Sequence, residues 1–219
     1  AVSEAGRLKN KRVLIVDNSR AAATILRSMG RRMGAERIDE AESYQHAVPM
    51  LEATPYDIVF CDVDLGDGLS GQQLLRDIRE FSLLPMTSIF VFVSSEQSRD
   101  MVLGSIEHEP DGYVVKPFRI RDLERRTAKF LERNSALCDF LQALENGELD
   151  NAKQLGIEAT SRSERLRLVM LNYLARYQFR VGDFEAALQN FVEIRKVHDV
   201  HWARLGEAQS LTELGYLAQ

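Results

Sequence analysis

Short β-branched runs alternate with longer segments of helical period along the first part of the chain, up to about Arg133. The runs predict strands over residues 12–17, 37–40, 57–62, 88–94 and 112–115. Such alternation is typical of an α/β fold, with a parallel sheet covered by helices on both faces. Two apolar sets at helical spacing should pack against this sheet: Ile25, Leu26 and Met29 after the first strand, and Leu74, Leu75 and Ile78 after the third.

Beyond Glu132 the β-branched runs disappear, and the remaining chain is typical of consecutive helices rich in Leu and Ala. An internal repeat begins at Gly147, Gly182 and Gly215, which lie 35 and 33 residues apart. Each Gly is expected to end a helix in the left-handed conformation, and a following Ala, Ala152 or Ala187, should let the next helix approach closely. The pattern resembles tetratricopeptide repeats, whose period is about 34 residues. An unrelated helical bundle remains the alternative.

These patterns predict three parts of the chain. Residues 1–10 form a polar N-terminal extension, residues 11–133 the α/β domain, and residues 134–219 a helical-repeat domain that is truncated at its end. The absence of an initiating Met and the helical pattern that reaches Gln219 suggest that more sequence follows.

Composition narrows the environment and the partners. Of 219 residues, 45% are hydrophobic and 28% charged, which predicts a folded globular protein. The formal net charge of -5 argues against nucleic acid as a partner. Cys61 and Cys138 fit reduced thiols in a cytoplasm. No apolar stretch approaches the roughly 20 residues that would span a membrane.

Polar residues follow the predicted strands where a ligand crevice is expected in a doubly wound sheet. The first strand ends in Asp17 and Asn18, the third in Asp62, the fourth in Ser94 and the fifth in Lys116. A carboxylate can attack phosphorus if a divalent cation and an ammonium group neutralise the developing charge. These strand ends offer oxygen ligands for Mg2+, a lysine and a hydroxyl group.

The sequences VLIVDNS, DIVFCDVDLGDGLSG, FVSSE and GYVVKPF, in that order, resemble response-regulator receiver domains over residues 11–133. The resemblance implies a flavodoxin-like, doubly wound parallel five-stranded sheet in the order 2-1-3-4-5. It implies that Asp62 is the phosphoacceptor and that Ser94 and Lys116 contact the phosphoryl oxygens. Tyr113 would be the aromatic switch residue, and Lys116–Pro117 would be a cis peptide.

The resemblance also implies a magnesium site. Its ligands would be Asp62 and the backbone carbonyl of Asp64, with Asp17 acting mostly through water. Asn18 stands where the family usually has a second acidic ligand, which should weaken Mg2+ binding. Asp64 could restore charge if its side chain turned inward. The loop over residues 65–71 is one residue longer than the family's common form.

Three functions compete at this point. The leading hypothesis is a two-component response regulator that receives a phosphoryl group from a histidine kinase or phosphotransfer protein and signals through a downstream protein bound by the helical repeats. It would act as a phosphoacceptor rather than an enzyme, with neither nucleic acid nor membrane as partner, and it could form a homodimer. The alternative is a phosphorylation-independent pseudo-receiver scaffold. A remote alternative is a haloacid dehalogenase-type phosphatase, suggested by the spacing of Asp62 and Asp64.

Overall fold

The computed structural model describes residues 6–66, 69–95, 110–161 and 163–216. The chain divides into two compact units, Ala1–Asn134 and Ser135–Gln219. The first unit contains a parallel sheet with flanking helices, and the second consists of helices. In the described residues, no helix is both long and apolar enough to cross a membrane.

Five parallel strands form the sheet of the first unit, in the order β2-β1-β3-β4-β5. Their bounds are β1 Arg12–Val16, β2 Arg37–Ala41, β3 Ile58–Cys61, β4 Ile89–Ser95 and β5 Gly112–Lys116. The order confirms the predicted fold, and each predicted strand agrees with the observed one to within a residue at either end. Residues 96–109, between β4 and β5, lie outside the described residues.

Alternate residues of the central strands fill two separate cores, one on each face of the sheet. Leu14, Val59 and Phe90 lie in one core. Their neighbours Ile15 and Phe60 lie in the other. Because successive side chains of a strand point to opposite faces, a strand that is apolar throughout must be covered on both sides. The continuous apolar runs in the sequence therefore correspond to strands buried on two faces.

The helices of the first unit are α1 Arg20–Arg32, α2 Tyr44–Ala53, α3 Gly71–Glu80 and α4 Ile120–Glu145. The hydroxyls of Ser19, Ser43 and Ser70 accept backbone N–H groups at the starts of α1, α2 and α3. α4 passes the division between the two units, which falls after Asn134.

The prediction that Ile25 packs against the sheet is wrong. Leu26 and Met29 are buried, as are all three predicted residues of α3, but Ile25 is 39% exposed. Adjacent residues of a helix point about 100° apart, so Ile25 and Leu26 cannot share one narrow face. The buried face of α1 contains Ala22, Leu26 and Met29 instead.

The segment before β1 contributes to the core although its sequence is polar. Leu8 is fully buried beside Met33 and Ala35. The backbone N–H groups of Gly6 and Leu8 both donate to the carbonyl of Met33, at 3.1 and 2.9 Å. The segment therefore holds the end of α1.

The second unit continues from the last part of α4 through α5 Leu149–Thr160, α6 Glu164–Arg180, α7 Phe184–Val197 and α8 His201–Glu213. The three repeated glycines have φ values of 78°, 83° and 77°, the left-handed conformation expected of them. Each follows the end of a helix. Ala152 and Ala187 are fully buried, as a close approach of helices requires. Residues 217–219, which follow the third of these glycines, lie outside the described residues.

Candidate functional site

Polar residues from four strands meet at the carboxyl edge of the sheet. Asp17 follows β1 and Asp62 follows β3, while Ser94 lies near the end of β4 and Lys116 ends β5. Parallel strands bring their carboxyl ends to the same edge, which is where such sheets bind ligands. The fold therefore gathers the residues that the sequence pattern selected.

Lys116 joins the buried carboxylate of Asp17 and the partly buried carboxylate of Asp62. Its Nζ atom donates to Oδ2 of Asp62 at 2.6 Å and to Oδ2 of Asp17 at 2.8 Å. The side chain of Asp17 is 0% exposed and that of Lys116 is 23% exposed. The peptide between Lys116 and Pro117 is cis, as the resemblance implied.

The environment shifts the acidities of both partners of this contact. Burial raises the pKa of Asp17 above its ordinary value, although the hydrogen bonds from Lys116 and from the Ser19 N–H oppose the shift. Burial also acts to lower the pKa of Lys116. Its hydrogen bonds to Asp17 and Asp62 outweigh that effect, so the pKa is raised and the ammonium group stays charged at neutral pH.

The backbone around Asp62 is tightly packed. Its N–H donates to the carbonyl of Val16 at 2.8 Å, which ties the end of β3 to β1. The thiol of buried Cys61 donates to the Asp62 carbonyl at 3.1 Å. A Cβ atom on Gly71, the first residue of α3, would lie only 2.1 Å from that carbonyl oxygen. Only glycine fits there, and sequence reasoning did not select it, because its role depends on a contact across the loop.

Ser94 contributes a buried hydroxyl. It is 1% exposed, and its Oγ atom has no hydrogen-bond partner within the described residues. A buried hydroxyl without a partner is costly in a folded protein. The atom is therefore suited to donate to an oxygen of a ligand that enters at the carboxyl edge.

Tyr113 lies on β5, where it is partly buried and packs against the buried core that contains Val59 and Phe90. Its ring centre is 6.0 Å from that of Phe92, in a tilted arrangement. Its backbone carbonyl accepts from Arg126 of α4 at 3.1 Å. Tyr113 thus contacts Phe92 through its ring and α4 through its backbone carbonyl, and its role as a switch residue stays a prediction.

Asn18 and Asp64 are both exposed. Oδ1 of Asp64 accepts the N–H of Gly66 at 3.0 Å within its own loop. The Asp64 N–H donates to Oδ1 of Asp62 at 3.2 Å. The carboxylate that could have replaced the missing acidic group at position 18 is therefore occupied in a local turn.

Only part of a donor set for a hard divalent cation lies at this edge. Asp17 and Asp62 both direct carboxylate oxygens at the ammonium group of Lys116, which is the positive charge between them. Oxygen donors of this kind are the ligands that Mg2+ prefers. In the described part of the chain, no group of three or more His, Cys, Asp or Glu side chains is arranged to hold a metal ion.

Comparison with known proteins assigns the first unit. The family model of the response regulator receiver domain matches residues 13–128. Chemotaxis protein CheY-3 of Vibrio cholerae is 30% identical over 128 residues, which are 57% of this chain and 95% of that protein. Transcriptional regulatory protein YvrH of Bacillus subtilis is 29% identical over 126 residues, or 58% of this chain and 51% of that protein.

A solved structure supports the fold independently. The crystal structure of NtrX from Brucella abortus superposes with a TM-score of 0.51 at 19% identity, over 57% of this chain and 27% of that one. At that identity the likeness concerns the fold alone.

Proposed function

Because the chain belongs to the response regulator receiver family, we propose that it is a phosphorylation switch whose Asp62 accepts a phosphoryl group from a histidine kinase or phosphotransfer protein. The observation that carries the proposal is the contact of Lys116 Nζ with Asp62 at 2.6 Å, at the edge where the Ser94 hydroxyl is buried. These residues supply a nucleophile, a fixed positive charge and a hydrogen-bond donor.

The reaction needs a nucleophile and a place for negative charge. A carboxylate oxygen of Asp62 attacks the phosphorus of a phosphohistidine, the new O–P bond forms as the P–N bond breaks, and the imidazole leaves with the electron pair and takes up a proton. Lys116 then turns from the attacking carboxylate to a phosphoryl oxygen. Asp17, which holds Nζ at 2.8 Å, keeps the ammonium group within reach. Ser94 donates its hydroxyl to a second phosphoryl oxygen.

Asp17, Asp62 and the backbone carbonyl of Asp64 would hold Mg2+, with Asn18 as a neutral neighbour. When bound, the ion supplies positive charge that offsets repulsion between the carboxylate and the phosphoryl oxygens. With one fewer carboxylate than the family pattern, this chain should hold the ion weakly.

We propose that the second unit is the output part, made of tetratricopeptide-like helix pairs that bind a downstream protein. Support comes from three glycines of left-handed conformation, 35 and 33 residues apart, and from the buried alanines that follow two of them. Phosphorylation of Asp62 and movement of Tyr113 would shift the chain between two conformations that differ in affinity for that protein. A cytoplasmic location, the absence of nucleic acid and membrane partners, and a homodimer belong to the same proposal.

The test is labelling by a small-molecule phosphodonor in the presence of Mg2+, followed by intact mass. The chain should gain one phosphoryl group, and Asp62→Ala should gain none. Asp122→Ala is a matched control, because Asp122 lies on α4 with its side chain 51% exposed and forms an ion pair with Arg125. Equal labelling of the chain and Asp62→Ala would refute the proposed acceptor.

A pseudo-receiver scaffold is the second candidate, favoured by Asn18 and by the occupied side chain of Asp64. It predicts that millimolar Mg2+ does not perturb the NMR signals of residues 17 and 62. Asn18→Asp should restore the perturbation, which would show that the titration can detect binding. The haloacid dehalogenase hypothesis gains no support, because Asp62 follows β3 rather than the first strand.

A further inference from the structure

Three successive residues of α4 are held by different segments of the first unit, just before the chain passes into the second. We call these contacts the collar, and they are Arg7 to Glu132 at 2.7 Å, Asp111 to Arg133 at 3.1 Å, and the carbonyl of Thr87 to Asn134 at 2.6 Å. The division between the units follows directly, after Asn134.

Asp111 is the centre of the collar. Its side chain is 7% exposed, and it precedes β5. Its Oδ2 accepts the backbone N–H of Phe90 at 2.9 Å, and its own N–H donates to the Phe90 carbonyl at 2.8 Å. Asp111 therefore connects the beginnings of β4 and β5, the two strands whose other ends contain Ser94 and Lys116.

Asp111 also binds two arginines from different helices. Arg79 of α3 donates to Oδ2 at 3.2 Å, and Arg133 of α4 donates to Oδ1 at 3.1 Å. The side chains of Arg79 and Arg133 are only 12% and 20% exposed. The two guanidinium groups share the carboxylate of Asp111. Because these side chains are largely buried, their positions depend on that carboxylate more than the positions of exposed charges depend on their partners.

α4 packs closely on the sheet at the same place. A Cβ atom on Gly112 would lie 2.2 Å from the ring of Phe130, one turn before Arg133. After the collar, α4 supplies buried residues to the second unit, among them Leu137, Phe140 and Leu144.

We propose that the collar is a coupling device. It fixes α4 to β4 and β5, so that a change at the site ends of these strands alters residues 135–145 of α4. Arg133 is a positioning residue in this scheme and touches neither Asp62 nor Lys116. The inference is independent of whether Asp62 is phosphorylated, because any perturbation at the site end of β5 should be transmitted.

The test is a double-mutant cycle read by backbone amide exchange of residues 135–145 in the full chain. Lys116→Met perturbs the site end of β5, and Arg133→Met breaks the collar. Arg125→Met is the matched control, since Arg125 lies on the same helix in an ion pair with Asp122 and its side chain is 67% exposed. Exchange of β3 amides reports whether each variant keeps its fold. If Arg133→Met unfolds, Asn134→Ala replaces it, because it removes the collar contact with the Thr87 carbonyl.

Lys116→Met should change exchange at 135–145 by at least about twofold, the factor that corresponds to a coupling of ~0.5 kcal/mol. The same change should vanish when Arg133→Met is present and persist when Arg125→Met is present. The proposal is overturned if Lys116→Met leaves residues 135–145 unchanged, or if its effect is the same in both backgrounds. Failure of phosphoryl labelling, in contrast, would refute the proposed function, and the double-mutant cycle would still test the collar.

Discussion

Replacing Gly71 by Ala should damage the fold and the site together. The added Cβ would lie 2.1 Å from the carbonyl oxygen of Asp62 and 2.9 Å from Sγ of Cys61. Since Cβ contacts under 3.0 Å are essentially never seen, the start of α3 or the backbone of Asp62 must move by about 0.9 Å, the difference between 3.0 and 2.1 Å. Neither backbone is free, because the Gly71 N–H donates to the Val63 carbonyl and the Asp62 N–H to the Val16 carbonyl.

The loss of stability depends on the atom that the added Cβ contacts, which is a backbone oxygen. Forcing extra volume into a packed site costs ~1–3 kcal/mol. Alanine is a better helix former than glycine by up to ~1 kcal/mol, but Gly71 is the first helical residue, where this gain is smallest. We therefore expect a net loss of ~2 kcal/mol in the free energy of unfolding of the first unit. Phosphoryl labelling should also slow, because the carboxylate of Asp62 moves with its backbone.

Urea unfolding and the rate of labelling by a phosphodonor measure the two effects. Gly30→Ala is the matched control: its Cβ would lie 2.9 Å from Cδ1 of Ile38, the end of a flexible side chain. It should change stability by less than ~1 kcal/mol and leave labelling unchanged. The reasoning is refuted if Gly71→Ala unfolds at the same urea concentration as Gly30→Ala and is labelled at the same rate.

Three further predictions concern charge. Asn18→Asp should raise the affinity for Mg2+ by restoring a carboxylate beside Asp17, as measured by NMR titration; equal affinities would contradict the assignment of the metal site. Because burial raises the pKa of Asp17, the native state binds its proton more tightly than the unfolded state, and stability falls as pH rises from 3.8 through the raised value. Asp17→Asn should therefore stabilise the fold at pH 7, and a lower urea midpoint would count against this. Burial and the hydrogen bond to Asp39 raise the pKa of Tyr56 to about 12, so its contribution to stability is lost between pH 10.0 and about 12. Tyr56→Phe should remove that part of the alkaline transition, and an unchanged pH profile would exclude Tyr56 as its source.

The sheet and its ligand edge could be predicted from sequence because their signals are local. An apolar run followed by Asp or Lys predicts a buried strand, and it also predicts the end of the strand at which a polar side chain lies. Asp17, Asp62 and Lys116 are brought together in this way. The glycines of the second unit are equally local signals, since a left-handed residue at a helix end has few alternatives to Gly.

Other features depend on contacts between distant residues. Leu8 is an isolated apolar residue in a polar segment, so no periodicity indicated that it is buried. The collar joins α4 to residues more than 20 positions away in the chain. The three residues that α4 contributes are polar and, taken alone, are typical of a solvated helix. Asp64 could have faced the proposed metal site or its own loop, and only the structure shows that its carboxylate accepts the N–H of Gly66.

The most direct test of the central claim is to locate the modified residue after phosphodonor treatment. Borohydride reduces an acyl phosphate to an alcohol and so marks the acceptor for peptide mapping by mass spectrometry. The account predicts a single marked residue, Asp62, and loss of the mark in Asp62→Ala. A mark on another carboxylate, or none under conditions that label a receiver domain of known activity, would contradict it.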